Sequence, residues 1–164
     1  MKNIIKKDKK NNNIKDNNIK DNNIKDNNIK DNKKKINKTK LQSELVNYFL
    51  EILMIIKVYH WKTRSHSVHR ATDELYEKLN EYIDSFVETM LGKKGNRLNM
   101  KGKMIKFTDP SNLKELIKII YDYRILLEFK INNYIDPIID TDLLNIRDEI
   151  LGSLNQFLYL LTLI

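Results

Sequence analysis

From residue 41 onward, apolar residues recur at three- and four-residue steps, the spacing of amphipathic helices with one buried stripe. Lys40 to Lys62 reads as the first helix. Leu45, Phe49, Ile52, Leu53, Ile56 and His60 share a face, which sets His60 on the core-facing side, and Thr39 is the candidate N-cap. A break at Thr63 to Ser65 precedes a second helix from about Ser67 to Leu91, striped by Leu75, Leu79, Tyr82, Ile83, Phe86 and Met90. Gly92 is its expected stop. The Lys-, Gly- and Asn-rich segment from Lys93 to Ser111 reads as a surface connection with room for a short helical turn.

A third helix is expected from near Asn112, capped by Asp109 or Ser111. It carries Leu113, Leu116, Ile117, Ile120, Tyr123, Leu127 and Ile131 and ends between Asn132 and Asp136, ahead of Pro137. A fourth, from about Asp140 to the terminus with Asp140 or Thr141 as cap, carries Leu143, Ile146, Ile150, Leu154, Phe157 and Leu161. No stretch alternates as a strand would. Amphipathic helices of about 30 Å each pack most economically as an all-α, antiparallel four-helix bundle over residues 39–164. The terminal run FLYLLTLI is more apolar than one stripe requires, which implies a subunit contact or a buried helix end.

Residues 1–38 break this pattern. The unit NNIKD occurs in succession from Asn12 to Asp31. Its isoleucines advance by about 140° per repeat on any helix, so they form no common face. Asn favours turns and no partner hydrophobe is present, so this tail is expected to be disordered. The sequence has a net charge of +8, and its excess is confined to the first forty residues; the helical part is close to neutral. Two readings fit the tail: a mobile cationic arm for DNA, RNA or another polyanion, or expansion of an A+T-rich coding tract. It has no aromatic residue on which bases could stack.

The absence of cysteine excludes disulfides, thiolate catalysis and Cys-ligated zinc or iron–sulfur sites. Any metal ligands must be His, Asp or Glu. The run Ile52–Ile56 is far short of the roughly 20 residues that cross a bilayer, and MKNIIKKDKK has no apolar core of a secretory signal. A cytoplasmic, nuclear or virion-interior location is expected, without export or membrane association.

All three histidines, His60, His66 and His69, lie close together in the sequence. His69 and Asp73 are one turn apart on the second helix, as are Asp84 and Glu88. Eleven residues at about 100° each return Asp84 nearly to the azimuth of Asp73. One side of that helix therefore bears an imidazole and three carboxylates, with His60 contributed from across the corner. Such a set suits a hard or borderline divalent ion. Acidic residues spaced by four are also common on solvated helix surfaces, and a His ending an apolar run can be an ordinary core residue.

The stretch Tyr59 to Gly92, YHWKTRSHSVHRATDELYEKLNEYIDSFVETMLG, resembles the first hairpin of the Dps family of mini-ferritins, DNA-protecting proteins of starved cells. The likeness rests on His60–Trp61, His69-x3-Asp73 and Asp84-x3-Glu88. The texture is closer still to ferritin-like proteins of large DNA viruses. The Dps resemblance implies a ferritin-like bundle in a homo-oligomer with the metal site at a two-fold interface. His60, His69 and Asp73 would come from one subunit, Asp84 and Glu88 from another, and Trp61 would lie beside the iron and intercept oxidising intermediates. The implied chemistry is Fe(II) oxidation by peroxide or oxygen and storage of ferric mineral; another divalent metal is the alternative to iron. The connection from His60 to His69 is shorter than the family's by a few residues, and His66 is an addition within it, either a solvent-exposed residue or a substitute ligand. The Glu-x-x-His pair of larger ferritins is absent from the core helices.

Three functions fit these features: a Dps-like metal-binding, Fe(II)-oxidising oligomer; a structural or interaction bundle, such as a virion component; and a nucleic-acid-binding module acting through the tail. If the third holds, deleting residues 1–38 abolishes retention on DNA, and binding by the full chain weakens steeply between 50 and 200 mM salt in a filter-retention assay. Retention that survives the deletion, or is insensitive to salt, sinks that function.

Overall fold

The computed structural model describes residues 40–95 and 97–163. The NNIKD tail and the Thr39 cap lie outside them. The described chain is all-helical, without a strand among the described residues, in four helices: α1 (residues 40–62), α2 (His66–Lys94), α3 (Leu113–Ile125) and α4 (Thr141–Leu161). None is long and apolar enough to cross a membrane.

The helix ends follow local chemistry, in places different from the sequence expectation. Ser65 caps α2 by accepting the Val68 N–H at 3.4 Å. Gly92 does not end that helix. The chain turns at Gly95, whose φ of 62° is left-handed and whose N–H donates to the Leu91 and Gly92 carbonyls. A helical glycine costs only about 1 kcal/mol, whereas the left-handed position strongly favours one. Asn112, rather than Asp109 or Ser111, caps α3. Its side chain accepts the Glu115 N–H at 3.0 Å, and the Glu115 carboxylate accepts the Ser111 N–H at 2.8 Å, a reciprocal box that satisfies two donors.

The third helix continues past Ile125 as a π-helical turn, Leu126–Lys130, and a 3₁₀ turn, Ile131–Asn133, before the expected end ahead of Pro137. Within the π turn, the Leu127 carbonyl accepts Nη1 of Arg147 from α4 at 2.9 Å. A side chain entering the ladder in this way is a recognised cause of such irregularity. Asp140 precedes α4, but its carboxylate does not cap the helix: Oδ2 accepts the Asp136 N–H at 2.9 Å and Oδ1 meets Lys93 Nζ at 3.1 Å. Lys93 also binds Asp142 at 2.7 Å, a hydrogen bond that raises the lysine pKa and lowers that of the aspartate. A cation from the last turn of α2 and acids from the first turn of α4 each suit the local helix dipole.

The expected stripes form one core. Leu45 and Ile56 of α1, Leu79, Phe86 and Met90 of α2, Leu116 and Ile120 of α3, and Leu143 and Leu154 of α4 are fully enclosed. Phe49 meets Phe86 edge to face, with ring centroids 5.2 Å apart. Near the middle of α2, Lys78 Nζ donates to Gln156 of α4 at 2.8 Å, while Lys93 in its last turn reaches the start of α4. The connection after α2 has a turn, closed by Lys103 N–H on the Met100 carbonyl at 3.0 Å, but no helix among its described residues. It is fastened to α1 at both ends. Ser43 Oγ donates to the Asn99 carbonyl at 2.7 Å, and Lys62 Nζ binds Asp109 at 2.6 Å and the Pro110 carbonyl at 2.9 Å. In the apolar terminal run, Phe157 and Leu161 are buried, whereas Tyr159 and Leu163 are exposed.

Phe86→Ala removes a fully buried ring and its partner contact with Phe49, so we expect a loss of about 3–5 kcal/mol in urea unfolding. Phe129→Ser, at a residue 72% exposed, should change stability by less than about 0.5 kcal/mol.

Candidate functional site

The corner joining α1 to α2 brings the first candidate histidines together. Only residues 63–65 lie outside the two helices, and Thr63 Oγ1 accepts the Ser65 N–H at 3.3 Å. Across this corner, His60 Nδ1 lies 3.0 Å from the His69 carbonyl and His69 Nδ1 lies 3.0 Å from the His60 carbonyl. A carbonyl only accepts, so each Nδ1 carries a proton and donates it. The rings stack with centroids 3.8 Å apart and 25° between planes. The Thr72 hydroxyl donates to the Val68 carbonyl at 2.8 Å and lies 3.3 Å from His60 Nδ1, where its oxygen can also accept that proton.

These bonds fix the tautomer. With Nδ1 protonated in each neutral ring, both Nε2 atoms keep their lone pairs, the arrangement of a metal-binding His whose other nitrogen is held by a backbone carbonyl. His60 Nε2 stands 3.6 Å from Asp73 Oδ1. That is too long for a hydrogen bond, but near the separation of about 3.4 Å for two ligands around a tetrahedral ion with bonds of about 2.1 Å. His60 is buried, at 6% exposure, while the Asp73 side chain is 47% exposed. Two donor atoms of the kinds that hold a divalent ion thus come within ligand spacing of each other, at a site open to solvent on the Asp73 side. Among the described residues, no three His, Cys, Asp or Glu side chains form a group that could hold a metal ion.

The other candidates are not brought into this group. His66 is exposed at the first residue of α2, and Trp61 is 69% exposed at the end of α1. Asp84 and Glu88 are exposed further along α2. At 1.5 Å per residue, Asp84 stands about 16 Å along the helix from Asp73, too far to share an ion within one chain. His69, Asp73, Asn80, Asp84 and Glu88 nevertheless follow helical spacing on a side of α2 that is exposed or half-buried.

Lys57 was not among the sequence candidates. Its Nζ lies 3.4 Å from Asp73 Oδ1 and 4.6 Å from the Tyr76 ring centroid. The visible signal was its position three residues before His60, hence on the same side of α1. Thr72, three residues after His69, carried the matching signal on α2.

A family model described as "Family of unknown function (DUF5856)" matches residues 60–161. The chain belongs to the DUF5856 family. The match begins at His60, includes His66, His69, Asp73, Asp84 and Glu88, and ends at the last residue of α4. No curated protein and no solved structure matches the chain.

In this DUF5856 protein, His60 and His69 are expected to show the Nδ1–H tautomer at mildly alkaline pH in long-range ¹H–¹⁵N correlation spectra. An Nε2–H tautomer at either ring would overturn the reciprocal bonding and the unprotonated Nε2 derived from it.

Proposed function

We propose that this chain is a Dps-like, ferritin-like bundle that binds divalent metal at an interface between two copies and oxidises Fe(II) there. The observation that carries the reading is the pair of histidines with Nδ1 committed to backbone carbonyls, one presenting its free Nε2 to Asp73 at 3.6 Å.

The helix contacts support a ferritin-like arrangement. His60 meets His69, Lys57 meets Asp73 and Phe49 meets Phe86, so rising numbers on α1 meet falling numbers on α2. Lys93 with Asp142 and Lys78 with Gln156 repeat that opposition between α2 and α4. The connection after α2 touches α1 near Ser43 and again at Lys62, so it returns along α1 before α3 begins. A single long crossover of this kind is how ferritin-like bundles are connected.

Two α2 helices related by a two-fold axis, running oppositely, would set Asp73 of one copy against Asp84 and Glu88 of the other, twice over. The facing acids would repel each other unless a cation lay between them. In this reading, His60 and His69 hold the ion through Nε2, the carboxylates of both copies complete the shell, and Trp61 becomes covered at the interface. Fe(II) is the substrate; two Fe(II) ions supply the two electrons that reduce one peroxide to water, and the ferric product is stored. His66 is either a bystander or an added ligand.

One observation favours a structural or interaction bundle instead: Lys57 already gives Asp73 a cationic neighbour. Such a partly exposed pair is worth at most about 1 kcal/mol, so a divalent ion can displace it. The Lys-rich tail, in our proposal, adds sequence-independent phosphate contacts.

Anaerobic Fe(II) titration of the full chain should give a saturable endpoint, and peroxide should then oxidise the iron faster than in buffer. Asp73→Ala and Asp84→Ala should each abolish both effects. Refolding the two variants together should restore part of the sites, because a mixed pair keeps one intact Asp73–Asp84 combination. Absence of saturable uptake would favour the structural bundle; loss in Asp73→Ala alone would place the site within one chain.

A further inference from the structure

The face of α1 turned toward α3 holds a second feature that the metal reading leaves unused. A cleft of about 500 Å³ lies there, within the roughly 300–1,000 Å³ usual for small-ligand sites. Its inner surface is made by Ile55, Tyr123 and Leu126, which are buried, together with Glu51 and Tyr134, which are half-buried, and the exposed Tyr48 stands at its edge. Apolar surface and aromatic rings thus surround a small number of polar atoms.

Those polar atoms have one character. The Tyr123 hydroxyl is enclosed, in a side chain of a residue 9% exposed, and makes no hydrogen bond of standard geometry. An enclosed hydroxyl left in that state costs about 1–3 kcal/mol, and its oxygen keeps lone pairs to which a ligand N–H could donate. Burial, followed by the charge and the hydrogen-bonding approach of the Glu51 carboxylate, raises the pKa of Tyr123. Burial also raises the pKa of Tyr134, with Tyr48 and Glu44 adding to the effect. The phenols are therefore neutral at ordinary pH, and the inner formal charge is that of Glu51. That carboxylate enters none of the ion pairs of the described residues.

Lys118, Asp122 and Lys130 also line the cleft, but all three are exposed and form its rim. Glu115 is occupied by the α3 cap through Ser111 and Asn112. The π turn contributes Leu126 to the floor and Lys130 to the rim, and turns of this kind recur at functional sites.

We propose that the cleft between α1 and α3 binds a small organic cation, an ammonium group on an apolar or aromatic body, with Glu51 as its counter-ion and Tyr48, Tyr123 and Tyr134 around it. A carboxylate beside neutral aromatic rings favours such a cation by charge and by the negative ring faces, while Ile55 and Leu126 accept the apolar body. An anionic ligand would find its favourable charges only on the exposed lysines.

The test uses the full chain with three aromatic probes of similar size: 2-phenylethylamine, 3-phenylpropionate and 2-phenylethanol. Titration followed by amide chemical shifts should give saturable binding for the amine, with shifts centred on Tyr48, Glu51 and Tyr123, and weaker binding for the other two. Glu51→Gln should weaken amine binding about tenfold. Glu51→Asp, which keeps the charge, should retain it, and Tyr123→Phe should weaken it several-fold. Helical circular dichroism identifies any variant that fails to fold, and His69→Ala should leave amine binding unchanged. Equal or stronger binding of the carboxylate, an undiminished affinity in folded Glu51→Gln, or no saturable binding of the amine would overturn the proposal.

Discussion

The three-residue corner between α1 and α2 is the constraint on which the candidate site depends. So short a turn forces the end of one helix against the start of the next, leaving His60 and His69 no room to stand apart. Their Nδ1 protons go to each other's backbone carbonyls: that of His60, in the last turn of α1, is one a helix end leaves short of a partner, whereas that of His69 also accepts the Thr72 hydroxyl at 2.9 Å. The same bonds hold both rings in one tautomer and aim His60 Nε2 at Asp73. A longer connection would relax the stacking and the orientation together. The short corner thus acts as a positioning device for the two rings, since a displacement of about 1 Å is enough to degrade a ligand site.

The core supplies the rigidity that this corner needs. Phe49, Ile56, Leu79 and Phe86 lock α1 and α2 along their length, so the registry established at the corner is repeated by packing farther down the pair. The connection after α2 adds a different restraint. It is tied to α1 at Ser43 and Lys62, and Leu98 and Met100, on either side of the first tie at Asn99, pack against the core. A segment rich in Lys and Gly, which looks like a free surface loop, is therefore a strap whose backbone carbonyls take donors from α1 side chains.

Much of this was legible in the sequence because helical periodicity is strong over long windows. The end of α1 at Lys62 and nearly every expected stripe residue agree with the structure; Tyr82, Leu113, Ile117 and Ile146 are partly rather than fully buried. Helix ends were less legible. Gly92 and Gly95 carry equal local signals, and only the left-handed turn distinguishes them. The π turn coincides with Arg147 reaching the Leu127 carbonyl from another helix, a contact that no local pattern contains. At the site, the spacing of His69 and Asp73 was visible, but the reciprocal carbonyl bonds and Lys57 required the fold. The NNIKD tail, the largest compositional signal in the chain, lies outside the described residues.

Helix α1 links the two chemical features of the molecule. Lys57 and His60 look toward α2, whereas Tyr48, Glu51 and Ile55 line the cleft against α3. Six steps of about 100° set Lys57 about 240° from Glu51, measured through the core-facing side of the helix. Between these flanks run Leu45, Phe49, Ile52 and Ile56, buried in the common core. A rotation of α1 large enough to reshape the cleft would have to move this stripe and break the stacked histidines. Close packing resists such a motion, so occupation of the cleft is expected to act through local side chains rather than by turning the helix. The two features can therefore be altered separately, even though the same helix positions both.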